Sequence, residues 1–167
     1  MEKITGRVWI FGDNIDTDVI TPGPYVDAPM EEMVKHVLEA VQPEFAVRFR
    51  PGDIIVAGGN FGCGSSRETA PEALKRMGVG AIIARSFARI FFRNAVALGI
   101  PSITVAGAPS GFAQDDVAEV DVELARITNL TTGETIAGIP LYGDILNLIR
   151  KGGIVPLMRE MVDRQKS

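Results

Sequence analysis

Apolar residues fall along this chain in two rhythms. Four short runs are rich in β-branched and aromatic residues: Arg7 to Phe11, Asp53-Ile54-Ile55-Val56-Ala57, Gly80-Ala81-Ile82-Ile83-Ala84, and Ile100 to Val105. Their length and composition predict strands. Between them, apolar residues recur at helical spacing. Met33, Val34, Val37, Leu38 and Val41 predict an amphipathic helix over 31–41, Glu72 to Met77 predicts a second helix stopped by Gly78, and Phe87 to Leu98 a third, capped by Ser86 and stopped by Gly99. Strand, loop, helix and strand in this order form a βαβ unit, so the strands at 53–57 and 80–84 should lie parallel. Pro101 places the strand after Ile100 late or at an edge.

The second part of the chain reads differently. Residues 106–118 are loop-like, and Val120 to Leu124 alternates apolar and polar residues. Arg126 to Leu130 and Glu134 to Ile136 flank Thr131-Thr132-Gly133, the pattern of a hairpin. Helical spacing returns over Leu141 to Ile149 and Ile154 to Val162. No repeat or linker divides the 167 residues, which is a length for one domain with a real core. A net charge of −4 argues against a nucleic-acid partner. No apolar run is long enough to span a membrane. The start Met1-Glu2-Lys3-Ile4 lacks the apolar stretch of a signal peptide, and a single cysteine suits a reducing cytoplasm. With one cysteine and one histidine, a zinc or iron–sulfur site is not expected within this chain alone.

The candidate chemistry lies in Gly58-Gly59-Asn60-Phe61-Gly62-Cys63-Gly64-Ser65-Ser66-Arg67-Glu68, between a strand and a helix. Such a glycine-rich bend lets backbone approach a ligand and directs N–H groups at an anion. Ser65 and Ser66 can also be read as helix caps, with Ser65 and Glu68 as a capping box. The glycines weigh against that reading, because a simple cap needs no close-approach loop. Arg67 is at the end of a helix where a cation is disfavoured unless it faces an anion. Asp13, Asp16 and Asp18 lack the remaining ligands of a calcium loop and read as turn residues, one of them holding a loop near the site. Cys63 has no histidine near it in sequence, so a Cys–His pair would need His36 to approach in space. Arg85, Arg89, Arg93 and Asn94 form a polar stripe that is either solvated or turned toward an acidic ligand or partner.

Four motifs, Asp13-Asn14-Ile15-Asp16-Thr17-Asp18, Pro51 to Gly58, Asn60 to Glu68 and Ser86 to Asn94, resemble those of 3-isopropylmalate dehydratase small subunits, which correspond to the swivelling domain of aconitases. The resemblance runs from about Gly6 to Pro156. It implies an α/β fold: a single compact swivelling-type β/β/α domain over 1–167, with a mostly parallel sheet flanked by helices and a small β-hairpin. It also implies a hydro-lyase inactive without a large subunit, which would carry a [4Fe-4S] cluster on its own cysteines. No metal would be held by this chain, and the isolated chain could form a homo-oligomer. By motif, Ser65 would be the base that removes a C–H proton. Arg67 would bind a carboxylate of a small dicarboxylate substrate, Ser66 and the backbone around Gly64 would help hold it, and Asp18 would belong to the active-site shell.

Two departures bear on function. Many relatives have a histidine after the glutamate that follows the arginine, where this chain has Thr69. In relatives acting on tricarboxylates, the loop after Asp18 carries an arginine. Here it reads Pro24-Tyr25-Val26-Asp27-Ala28-Pro29, with no basic residue. If Tyr25, Val26, Asp27 and Ala28 select the substrate, an alkylmalate is expected. 3-Isopropylmalate ranks first, then 2,3-dimethylmalate or citramalate, with a tricarboxylate such as homoaconitate behind them. A non-catalytic anion-binding or regulatory module and an independent serine hydrolase are the readings from other classes.

Overall fold

The computed structural model describes Met1–Ser167. Seven strands form one sheet in the order β4-β3-β2-β1-β5-β6-β7: β1 (Ile4–Ile10), β2 (Ile54–Ala57), β3 (Ala81–Ala84), β4 (Ser102–Thr104), β5 (Val117–Asp121), β6 (Arg126–Asn129) and β7 (Thr135–Ala137). From β1 to β4 every pairing is parallel, with Trp9 beside Ile55, Ile55 beside Ile82 and Ile83 beside Ile103. From β1 to β7 every pairing is antiparallel. The expected parallel sheet is therefore one half of a mixed sheet, and the expected hairpin is the end of a three-strand meander. β4 starts after Pro101 and forms the edge, as that proline required.

Seven helices surround the sheet: α1 (Thr17–Ile20), α2 (Met30–Met33), α3 (Phe45–Arg48), α4 (Thr69–Met77), α5 (Arg89–Ala97), α6 (Gly143–Lys151) and α7 (Ile154–Lys166). None is long and apolar enough to cross a membrane. The period-two alternation of the strands builds two cores. Trp9, Ile55, Ala57, Ile82 and Ala84 face one, under α1 to α4. Val8, Ile54, Val56, Ala81 and Ile83 face the other, shared with Val120, Ile127 and Ile149. Helices and loops thus cover both faces of the parallel strands, which explains their unbroken apolar runs. Asp53 is buried in this interior. Its carboxylate accepts from Trp9 Nε1 at 2.9 Å and Arg50 N at 3.0 Å and pairs with Arg7 at 3.2 Å.

Three helical expectations are corrected. Residues 31–41 are not one helix: after α2 the chain makes a single 3-10 turn over Val34–His36, and Leu38 adopts φ +58°. The apolar spacing recorded burial, and Met33, Val37 and Leu38 are buried as expected. Leu38 N meets Ile20 O at 3.1 Å, a contact a continuous helix would not make. The helix after the glycine-rich loop starts at Thr69, so Ser65 and Ser66 lie outside it and Glu68, at the N-cap position, makes no capping bond. Ser86 does not cap α5, which starts after Ala88. Its hydroxyl instead accepts from Asn60 N at 2.7 Å. Gly78, at φ +85°, closes α4 as the sequence indicated.

Candidate active site

The chain leaves β1, β2 and β3 at the same end of the sheet, and the three exits run side by side. Asn14 N donates to Gly59 O and Thr17 N to Cys63 O, both at 2.8 Å, while Phe61 N donates to Ser86 O at 3.0 Å. Single parallel bridges, Asp16 with Cys63 and Phe61 with Phe87, extend the strand order into these loops. Asp13 Oδ1 accepts from Gly59 N at 2.7 Å and pairs with Arg85, so Asp13 is the aspartate that holds the loop. Asp16 accepts from Asp18 N and caps α1. Gly62, at φ +83°, lets the second loop lie on Phe91 of α5, where any Cβ would collide with the ring.

A cleft of about 470 Å³ opens at the end of these loops. Thr17 and the segments Gly64 to Arg67 and Ala88 to Phe91 line it, together with Arg93 and Asn94. Ser65 Oγ lies 3.3 Å from Asp18 Oδ1 and 3.2 Å from Thr17 Oγ1, and Thr17 Oγ1 donates to Ser65 O at 2.8 Å. Arg67 Nε pairs with the same Asp18 oxygen at 3.1 Å. Arg67 Nη1 is buried and has no partner in the chain. Ser65, Asp18 and Arg67 therefore meet, with Ser66 and Gly64 beside them. The helix that turns its N-terminus to the cleft is α5, not the helix following the glycine-rich loop. Ala88 O accepts from Phe92 N, so the N–H groups of Arg89, Ile90 and Phe91 have no acceptor within α5.

Sequence reasoning missed Thr17 as an individual residue. It is 2% exposed, and its hydroxyl fixes both ends of Ser65. The signal was a polar residue between Ile15 and Val19-Ile20, in a stretch otherwise read for its aspartates. Thr69 does not line the cleft and stands 3.5 Å from Thr21 Oγ1, linking α4 to α1. Tyr25, Val26, Asp27 and Ala28 do not line it either. Tyr25 closes a 3-10 turn and stacks on His36 with centroids 3.6 Å apart. Both His36 ring nitrogens are engaged, Nδ1 with Glu39 at 2.9 Å and Nε2 with Glu32 at 3.2 Å. Those carboxylates, Glu39 foremost, raise its pKa. His36 is thus available to neither Cys63 nor Ser65. Burial, then the Asp16 carboxylate, pushes the Cys63 thiol above its ordinary pKa, which disfavours the nucleophilic thiolate.

Residues 19–107 match the family described as the aconitase C-terminal domain. The chain belongs to that family. Over 95% of its length it is 47% identical to a 3-isopropylmalate dehydratase small subunit of Methanopyrus kandleri, covering 94% of that protein. It is 49% identical to a methanogen homoaconitase small subunit of Methanothermobacter thermautotrophicus, over 96% of this chain and 93% of the other. An isopropylmalate/citramalate isomerase small subunit of Methanocaldococcus jannaschii shares 46%, over 97% and 98%. A crystal structure of 3-isopropylmalate dehydratase from Methanocaldococcus jannaschii superposes with a TM-score of 0.90 at 37% identity, covering 99% of this chain and all of that one. An aconitase-family dehydratase implies an iron–sulfur cluster. The residues present do not fit one: Cys63 is the single, free cysteine, and nowhere do three His, Cys, Asp or Glu side chains gather to hold a metal.

Proposed function

We propose that the chain is the small subunit of a heteromeric hydro-lyase that dehydrates and isomerises an alkyl-substituted malate, with 3-isopropylmalate first. One observation carries the catalytic part: the Ser65 hydroxyl sits beside an arginine whose buried Nη1 has no partner, in an open cleft. The Arg67 guanidinium, part of the cleft wall, takes one substrate carboxylate. Ser65 acts as its alkoxide, the hydroxyl proton having passed to Asp18, and removes a proton from the adjacent carbon. A serine oxygen is a weak base, so it needs a nearby cation and exclusion of water. Arg67 supplies the first. Ser65 and Ser66 are exposed, so the large subunit supplies the second by closing over them. That subunit also carries the cluster, a reading supported by the lack of ligands here. The complex works in the cytoplasm, which suits this chain's one unpaired cysteine.

The relatives' names span alkylmalate and homoaconitate activities at nearly equal identity, so overall similarity does not choose the substrate. The loop after Asp18 supports the choice of an alkyl group. It offers no cation to a third substrate carboxylate, although none of Tyr25 to Ala28 lines the cleft of this chain by itself. The test is to reconstitute the chain with its cognate large subunit and assay a panel of alkylmalates, citrate and homoaconitate. Turnover of alkylmalates, abolished by Ser65→Ala with assembly intact, is expected. Turnover of the tricarboxylates alone would overturn the substrate assignment, and an active Ser65→Ala complex would overturn the base.

A further inference from the structure

Arg89 and Arg93 form an unneutralised pair on a chain of negative net charge. They stand four apart on α5, where like charges repel, and α5 contains no acidic residue. Arg85, four residues earlier, is paired with Asp13, and Arg67, Arg76 and Arg150 also have carboxylate partners. Arg89 and Arg93 have none. Both are exposed, and between them Ile90 is 52% exposed. Their surface is wider than a small dicarboxylate. Arg89 lines the cleft on one side and, on the other, a shallow groove with Ser86, Phe87, Phe92 and Thr104 that reaches the edge strand β4. Arginines around an exposed aliphatic centre, with aromatic rings behind, have the composition of a protein interface.

We infer that this edge of α5 is the docking surface for the large subunit, which meets Arg89 and Arg93 with carboxylates of its own and packs on Ile90. The inference rests on the heteromeric reading above and adds where the partner sits. Such docking covers the cleft mouth beside Ser65 and Ser66, so assembly and exclusion of water become one event. Charge attraction also makes association depend on salt, since exposed charges are screened.

The test is the double variant Arg89→Glu/Arg93→Glu, titrated against the cognate large subunit at low and high salt, with an Arg89→Lys/Arg93→Lys control. Both arginines are exposed, so the thermal midpoint of the isolated chain should hold. We expect the charge reversal to weaken assembly by about 10- to 100-fold at low salt and to flatten its salt dependence, while the lysine control assembles within a few-fold of wild type. If the reversed chain assembles as well as wild type, the inference falls and the heteromeric reading stands. If assembly is unchanged but KM rises, these arginines bind the substrate's second carboxylate and the docking assignment is wrong. If the wild-type chain does not bind the large subunit at all, both readings fall.

Discussion

The two halves of the sheet divide the labour of the molecule. In the parallel half, β1, β2 and β3 all end on the same side, and every residue lining the cleft comes from the segments that follow them. This is where open parallel sheets gather loops from separate strands. In the antiparallel half, β5, β6 and β7 are joined by tight turns, and their inward residues Val120 and Ile127 complete the second core without reaching the cleft. One half brings distant segments together and the other braces them. Chemistry placed in the first should be sensitive to small changes, and the second should tolerate more.

The strongest challenge to that division is Ser65→Ala in the assembled complex. Its turnover should fall by about 10² to 10⁴, with complex formation unchanged by ultracentrifugation; a loss below tenfold would remove Ser65 as the base. Next is a matched pair of glycines. Gly62 and Gly133 have nearly the same φ, +83° and +84°, but a Cβ at Gly62 would strike Phe91 while nothing lies within 4 Å of one at Gly133. Gly62→Ala should cost about 3 kcal/mol or more, and Gly133→Ala about 1 kcal/mol. Denaturant unfolding of both variants reads the difference, and equal costs would mean the site loop is no more tightly packed than the hairpin turn.

A smaller effect is expected at Thr17. Replacing it with Val removes the two contacts to Ser65 and keeps the shape, so kcat should drop about tenfold with little change in KM. Thr17→Ser should restore most of it, and a fall in thermal stability without a fall in kcat would make Thr17 merely structural. The smallest effects are titrations of opposite sign in the two halves. His36 has a raised pKa, so its contribution is complete below about pH 6.5 and is lost as pH rises through its higher folded value. Glu123, in the turn between β5 and β6, is bound by Arg150 and held down to about 2, so its contribution is present above about pH 4.5 and is lost as pH falls toward 2. Thermal melts of His36→Gln and Glu123→Gln across pH should diverge from wild type in those separate windows.

Much of this was legible in the residues because burial and period coincide. Ile54-Ile55-Val56-Ala57 and Ala81-Ile82-Ile83-Ala84 need cover on both faces and received it. Pro101 and Gly78 act through backbone constraints that no tertiary contact overrides. The helix over 31–41 failed for the converse reason: apolar spacing reports which residues go inward, and Leu38 met that demand with positive φ and a backbone bond to Ile20. Ser65, Asp18 and Arg67 could be named from motifs, but Ser86 and Thr17 could not be assigned partners. Their hydroxyls bind backbone from other loops, a relation with no period along the chain.

Asp13 has a consequence for the kinetics of encounter. With Arg85 and the Gly59 amide on one carboxylate, and Asn60 tied to Ser86 and Asn14, the three loops form a single sheet-like plate before any partner arrives. Little ordering remains for the moment of contact. Capture should then follow rigid-body collision rates rather than wait on a loop rearrangement, and loosening Asp13 would slow it at a distance from every contacting atom.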